Sequence, residues 1–290
     1  MLNLISFLKQ KLYSIKNCYF DNFYGVDLRD YVHNILRYNY LMQLTYALCC
    51  FYQRMELNSS YNLISDSFIY TDIGFTIKKI LFRKRHSIIS HSMYLFIINP
   101  KFFKFEVILN DKPLRIKEWF NRYQPFMIIN GGYYKDDYSP LGLVKCKEKI
   151  FGKYNRGLSG IIRISNDKLD MDWSEKMIKD HNLKDVEFIL QTGPFIIQPY
   201  FRDGINSDNR KYDRRTVIAK DCFNNIIIVI FPNKSLSLYG VMNILKAFNL
   251  KVCLNLDGGT SMGCYISLID SRFYLPSIKK IPYILAVFKK

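Results

Sequence analysis

The sequence predicts an α+β fold, a mixed and mostly antiparallel sheet flanked by a few helices. Three observations carry this expectation. From Phe68 onward the chain is a succession of short apolar runs separated by turn residues. Few stretches in that region show the 3.6-residue spacing of an amphipathic helix. Phe and Tyr number 22 each, a bias that suits sheet and argues against disorder.

In chain order, residues 1–66 read as an N-terminal helical segment and 67–290 as one domain. Leu4, Ile5, Leu8 and Leu12 form an apolar stripe, and Lys9, Lys11 and Lys16 interrupt any secretion-signal core. The apolar stretch 40–52 suits a core helix or a signal core and is too short to span a bilayer. The pattern changes around Asn58-Ser59-Ser60. Strands are expected over 94–98 and 105–109, joined through Asn99-Pro100. Pro113 opens a helix to Arg122 that shows Ile116, Trp119 and Phe120 on one face. Further strands follow at 126–129, after the Ser139–Gly142 turn, at 160–164 with Asn166-Asp167 as a hairpin turn, at 186–190 and at 195–197. The polar stretch 202–214 reads as a flap. Strands at 217–220 and 226–231 precede the clearest helix, 237–249, with Val241, Ile244, Leu245 and Phe248 in register and Ser235 or Ser237 as its cap. Strands at 252–256, 264–268 and 283–288 close the chain, the last starting after Pro282.

Composition narrows the function. At 49% hydrophobic, 290 residues bury a sizeable core. A net charge of +17 fits nucleic acid, an anionic membrane surface, a phosphate-bearing ligand or a lysine-biased genome. No zinc finger, RNA-binding signature or dense basic–aromatic run accompanies it, which makes nucleic acid the weaker partner. The seven cysteines are scattered and lack CxxC, against a zinc site or a disulfide scaffold. One bridge is conceivable, Cys253 to Cys264 across a hairpin. The four histidines form no metal-binding spacing. No cofactor is expected, although carboxylate and amide oxygens near Asp257 suit a hard divalent cation.

The polar residues of interest collect at strand ends. Asn130-Gly131-Gly132, Gln191-Thr192-Gly193 and Asn255-Leu256-Asp257-Gly258-Gly259-Thr260-Ser261 each follow an apolar run, and Arg214-Arg215-Thr216 precedes one. One such turn has a plain structural reading: Asp257-Gly258 is a strong hairpin signal, and Asn130, Asn255, Gln191 and Thr192 can cap turns. Four in one domain suggest strand ends meeting at a common cleft. The groups supplied suit an oxygen-rich anionic ligand: Arg215 for bidentate phosphate contact, glycine N–H groups for an anion nest, and amides and hydroxyls for sugar hydroxyls.

These motifs, with Tyr133-Tyr134 and Pro140-Leu141-Gly142-Leu143-Val144, occur in an order that resembles the phosphodiester glycosidase family, bacterial members of which are linked to exopolysaccharide. The resemblance covers about Phe68 to Phe288. Three departures stand out: Tyr133 and Tyr134 replace a phenylalanine pair, Thr260 a third small residue, and Ala219 a glycine. The resemblance implies a hydrolase that cleaves a sugar-1-phosphodiester between the anomeric carbon and oxygen. Arg215 and glycine N–H groups, helped by Arg214, would stabilise the departing phosphate, and Asp257 would act as base or nucleophile toward an oxocarbenium-like centre. Candidates for a second carboxylate are Glu187, Asp136, Asp137 and Asp213. The resemblance favours an extracytoplasmic site, although the N-terminus shows no clear signal. The rival reading is a non-catalytic module that binds a phosphate-containing polysaccharide.

Overall fold

The structure, a computed structural model, describes residues 61–180 and 185–290. The helical segment expected over 1–66 lies outside the described residues as far as residue 60. Strand β1 (Tyr61–Asp72) takes in residues 61–66, which the sequence reading placed with that segment. It is followed by β2 (Phe75–Lys84), β3 (Ser90–Ile98) and β4 (Phe103–Leu114). Pro113 therefore ends a strand and does not open a helix. Helix α1 (Ile116–Tyr123) starts later because the Arg115 N–H donates to the Glu118 carboxylate at 2.7 Å. Next come β5 (Met127–Asn130), β6 (Val144–Cys146), β7 (Lys149–Phe151), β8 (Gly160–Ser165), β9 (Lys168–Trp173) and the short helix α2 (Ser174–Asp180). Asn166 and Asp167 both have positive φ, as the tight turn between β8 and β9 requires.

The chain continues through β10 (Phe188–Thr192), β11 (Phe195–Gln198), β12 (Arg202–Asp203), β13 (Asp213–Asp221) and β14 (Ile226–Leu236). Ser237 then caps α3 (Leu238–Leu245), its hydroxyl accepting from the Gly240 N–H at 3.2 Å. Strands β15 (Leu250–Asn255), β16 (Cys264–Ser267), β17 (Arg272–Leu275) and β18 (Ile281–Lys289) complete the fold. Pro282 lies inside β18, where the register against β4 shifts between Ile281 and Tyr283 and the missing N–H is tolerated.

The strands form three sheets, ordered β1-β2-β3-β14-β13-β15-β11-β12, β7-β6-β10-β8-β9 and β17-β16-β5-β18-β4. Every pairing among the described strands is antiparallel. One core lies where their inner faces meet, and side-chain alternation shows how it is built. In β14, Ile226, Ile228 and Ile230 enter this common core, while Ile227, Val229 and Phe231 pack on the opposite face with Val241, Ile244 and Leu245 of α3. In β5 and β18, Met127, Ile129, Tyr283 and Leu285 point inward, and Ile128, Ile284 and Ala286 pack against Ile116 and Trp119 of α1. In β8 and β10, Ile162, Ile164, Phe188 and Leu190 point inward, and Ile161 and Ile189 meet Ile178 of α2. Near-continuous apolar strands are thus strands buried on both faces.

The Asp257-Gly258 turn is not a hairpin. β15 belongs to the eight-stranded sheet and β16 to a five-stranded one, so residues 256–263 carry the chain between sheets. Cys253 and Cys264 are separate buried free thiols, not a bridge. The stretch 202–214 is tied down at several points, including the Gly204 N–H, which donates to the Ile196 carbonyl, and the Lys211 carbonyl, which accepts from the Arg215 guanidinium. Asp203 pairs with Lys246 at 2.8 Å, and the Ser237 hydroxyl donates to Asp208.

Candidate active site

The polar strand ends do converge, and most of them are spent holding the three sheets together. Asn130, at the exit of β5, is fully buried. Its amide donates to the carbonyls of Asp257 at 2.6 Å and Gly131 at 3.1 Å. Its Oδ1 accepts from the Thr216 hydroxyl at 2.9 Å and, more weakly, from the Gly263 N–H at 3.4 Å. One side chain thus joins β5, β13 and the inter-sheet crossover. Thr192 of β10 donates to the Asn255 carbonyl at 2.7 Å, which joins the β7-β6-β10-β8-β9 sheet to β15. Buried polar groups with all partners met fix a unique arrangement.

Gln191 faces the other way, as alternation along β10 demands. Its Oε1 accepts from the N–H groups of Leu143 and Asn155 at 3.0 Å each, and its Nε2 donates to the carbonyls of Asn155 at 2.8 Å and Leu158 at 3.0 Å. It organises the 141–158 loop with all four of its bonds. Arg214 also serves the fold, its guanidinium donating to the carbonyls of Met262 and Pro276 at 3.1 Å.

The glycine N–H groups assigned to an anion are mostly occupied. Gly131 donates to the Tyr283 carbonyl, Gly193 to the Asn255 carbonyl, Gly258 to the Asp257 carboxylate and Gly259 to the Arg214 carbonyl. Gly132 is in no such bond. What the paired glycines provide is room. A Cβ on Gly258 would sit 2.5 Å from the Arg214 carbonyl oxygen, and Gly259, with φ of 55°, would meet the Asp213 carboxylate at 2.8 Å. Thr260 contributes its carbonyl, which accepts from the N–H groups of Ile278 and Lys279 at 2.9 and 3.0 Å and pins the loop between β17 and β18 beside the crossover. Ala219 lies buried on the α3 side of its sheet, a packing position.

Above this welded floor sits a smaller, chemically open set. Asp257 keeps partial exposure as a residue while its carboxylate is sunk among Ser261, Asp213, Lys279 and the Gly258 N–H. Burial pushes its pKa up to about 6, aided by the charge of Asp213 and opposed by the Ser261 and Gly258 hydrogen bonds and by Lys279. Ser261 also hydrogen-bonds Tyr134 at 2.9 Å. Arg215, next to Arg214 and so pointing to the opposite face, is half-buried. Its guanidinium donates to the carbonyls of Leu236 and Lys211. Desolvation lowers its pKa, with Asp213 and Tyr133 acting against that shift. The Tyr133 hydroxyl lies within the fields of both Asp257 and Arg215 and accepts a hydrogen bond from the Asn255 amide.

Of the second-carboxylate candidates, only Asp213 stands beside Asp257. Glu187 accepts from the Asn166 N–H at the far hairpin, and Asp136 and Asp137 lie exposed in a loop where Asp137 binds Ser139. Among the described residues, no group of three or more His, Cys, Asp or Glu side chains is placed to hold a metal ion. No described helix is long and apolar enough to cross a membrane.

Sequence reasoning missed three members of the set. Tyr133 and Tyr134 sit inside a recognised motif and read there only as a mild exchange for a phenylalanine pair. Lys279 has no motif and reaches the site only because Thr260 anchors its loop.

The phosphodiester glycosidase family model matches residues 123–288, more than half of the chain and every element that builds the site. No curated protein matches the sequence. Solved structures that share the fold include the following two. The catalytic domain of zebrafish N-acetylglucosamine-1-phosphodiester alpha-N-acetylglucosaminidase, auto-inhibited by its pro-peptide, matches with a TM-score of 0.58 at 12% identity over 82% of this chain and 93% of that one. A hypothetical protein from Synechocystis matches with a TM-score of 0.54 at 14% identity over 78% of this chain, which spans 64% of the Synechocystis protein.

Proposed function

The chain belongs to the phosphodiester glycosidase family, and from that premise we propose that it hydrolyses a sugar-1-phosphodiester at the bond between the anomeric carbon and oxygen. The observation that carries this reading is the sunken carboxylate of Asp257, with a pKa raised to about 6, and a half-buried guanidinium, Arg215, acting on the same tyrosine hydroxyl. Near neutral pH that carboxylate is largely ionised yet poorly solvated, which suits it to take a proton from water or to attack an electron-poor carbon. A phosphate monoester leaves as a stable dianion, so the reaction needs charge stabilisation more than a strong acid. Lys279, beside Asp257, and Arg215, beside Tyr133, supply positive charge. Asp213, beside Asp257, is the second carboxylate of the reading and raises the proton affinity of the first.

Phosphate recognition in this proposal rests on the two cations and not on a glycine nest, since four of the five candidate glycine N–H groups are already engaged. Asn130, Gln191, Thr192, Thr216 and Arg214 act by holding the floor of the site. The test is turnover of the 4-nitrophenyl diester of N-acetylglucosamine 1-phosphate, followed by phosphatase release of nitrophenolate. Hydrolysis by the wild type and its loss in Asp257→Asn and Arg215→Gln support the reading. Binding of the diester without turnover would establish the polysaccharide-binding alternative instead.

A further inference from the structure

We propose that the Tyr133 hydroxyl contacts the substrate, donating its hydrogen to an oxygen of the phosphodiester held between Asp257 and Arg215. The inference rests on the phosphodiester reading above and adds a donor that this reading does not use.

Four observations converge on that hydroxyl. Its oxygen accepts from the Asn255 amide, which fixes one side of it. Asn255 is itself held rigidly. It is 1% exposed, its N–H donates to the Pro194 carbonyl at 3.0 Å, and its carbonyl accepts from Thr192 and Gly193. The Tyr133 main chain is equally fixed, its carbonyl accepting from the Tyr283 hydroxyl at 2.6 Å and the Leu141 N–H at 2.9 Å. Finally, no acceptor among the described residues takes the Tyr133 hydrogen, and the Asn255 Oδ1 beside it is buried without a partner.

A buried tyrosine–amide pair with a hydrogen and an acceptor both unspent is expensive unless a ligand completes it. A phosphodiester oxygen accepting from Tyr133 and a sugar hydroxyl donating to Asn255 Oδ1 would do so. Burial and the Asp257 charge raise the phenol's pKa, so the hydrogen stays in place at any working pH. As the glycosidic C–O bond breaks, its electron pair stays on the phosphate. The bond from Tyr133 then strengthens without transferring the proton, so the contact acts mainly on the transition state.

The experiment is Tyr133→Phe in the full chain, assayed on the 4-nitrophenyl diester of N-acetylglucosamine 1-phosphate. The expected result is a fall in kcat of about 10²-fold with KM little changed, the pattern of a lost transition-state donor. The same substitution in an Asn255→Ala background separates contact from positioning. A further loss of kcat supports contact, and no further loss overturns it in favour of a residue that only holds Asn255. Unchanged kcat in Tyr133→Phe, with the wild type active, overturns the inference and leaves the glycosidase reading standing. If the wild type binds the diester without turnover, the transition-state role of Tyr133 falls together with the glycosidase reading. A wild type that neither binds nor cleaves the diester overturns both.

Discussion

Asp257→Asn should stabilise the fold while removing turnover, and the size of the gain follows from the carboxylate's surroundings. The folded pKa is about 6, against 3.8 for an ordinary aspartate. Between these values the folded protein holds a proton that the unfolded chain has released, so the wild type loses stability as pH rises through this window. At pH 7 the cost of carrying the buried charge is about 3 kcal/mol, falling to roughly half that at pH 5 and to about 0.5 kcal/mol at pH 4. Asparagine keeps the shape. Its Oδ1 can still accept from the Gly258 N–H, and its amide can donate to the Ser261 hydroxyl. The variant should therefore unfold at higher denaturant concentration than the wild type at pH 7, with the gap closing toward pH 4. Parallel urea titrations at several pH values measure this. A variant less stable than the wild type at pH 7, or a gap independent of pH, would refute the claim that Asp257 pays a desolvation cost for its position.

The other predictions concern the floor, the crossover and the pH profile. Asn130→Ala removes the side chain that joins three segments and should lower stability by about 2–4 kcal/mol in denaturant unfolding; a loss under about 1 kcal/mol would count against the seam. Gln191→Leu leaves the N–H groups of Leu143 and Asn155 unpaired and should make the 141–158 loop a site of rapid limited proteolysis, while the remaining sheets stay protected. Gly258→Ala places a methyl group 2.5 Å from a backbone oxygen and should cost about 1–3 kcal/mol of stability; calorimetric melting checks it, and a neutral result would mean the crossover yields. With Asp257 acting as an ionised base or nucleophile, kcat/KM should rise with pH through about 6 and then level, and a profile that falls across that interval would reverse its role.

Much of the fold was legible because its signals are local. The apolar run that forms the first part of β14, the Asn166-Asp167 turn and the Ser237 cap each follow from a few adjacent residues, and all appear where their patterns place them. Three sheets in place of one, and a crossover in place of a hairpin at Asp257, depend on which strands pair, which local patterns do not encode. Pro113 misled because Glu118 captures the Arg115 N–H and so sets the helix start. At the site, the strand ends singled out in the sequence do lie together, and several of their side chains bond to neighbouring segments of the fold. A polar side chain at a strand exit looks the same whether it meets a ligand or a neighbouring sheet. Asn130, Gln191 and Thr192 meet neighbours. Lys279 was invisible for the opposite reason: it is brought to Asp257 by two backbone bonds to Thr260, and no motif records those.

The central claim is that the chain breaks the bond between the anomeric carbon and oxygen of a sugar-1-phosphodiester. Hydrolysis of the N-acetylglucosamine 1-phosphate diester in water enriched in oxygen-18 tests it most directly, with mass spectrometry of both products. The account predicts one heavy oxygen on the anomeric carbon of the first-formed sugar, read before its hydroxyl exchanges with solvent, and none in the phosphate monoester. Heavy oxygen in the phosphate product would mean attack at phosphorus and would contradict the account.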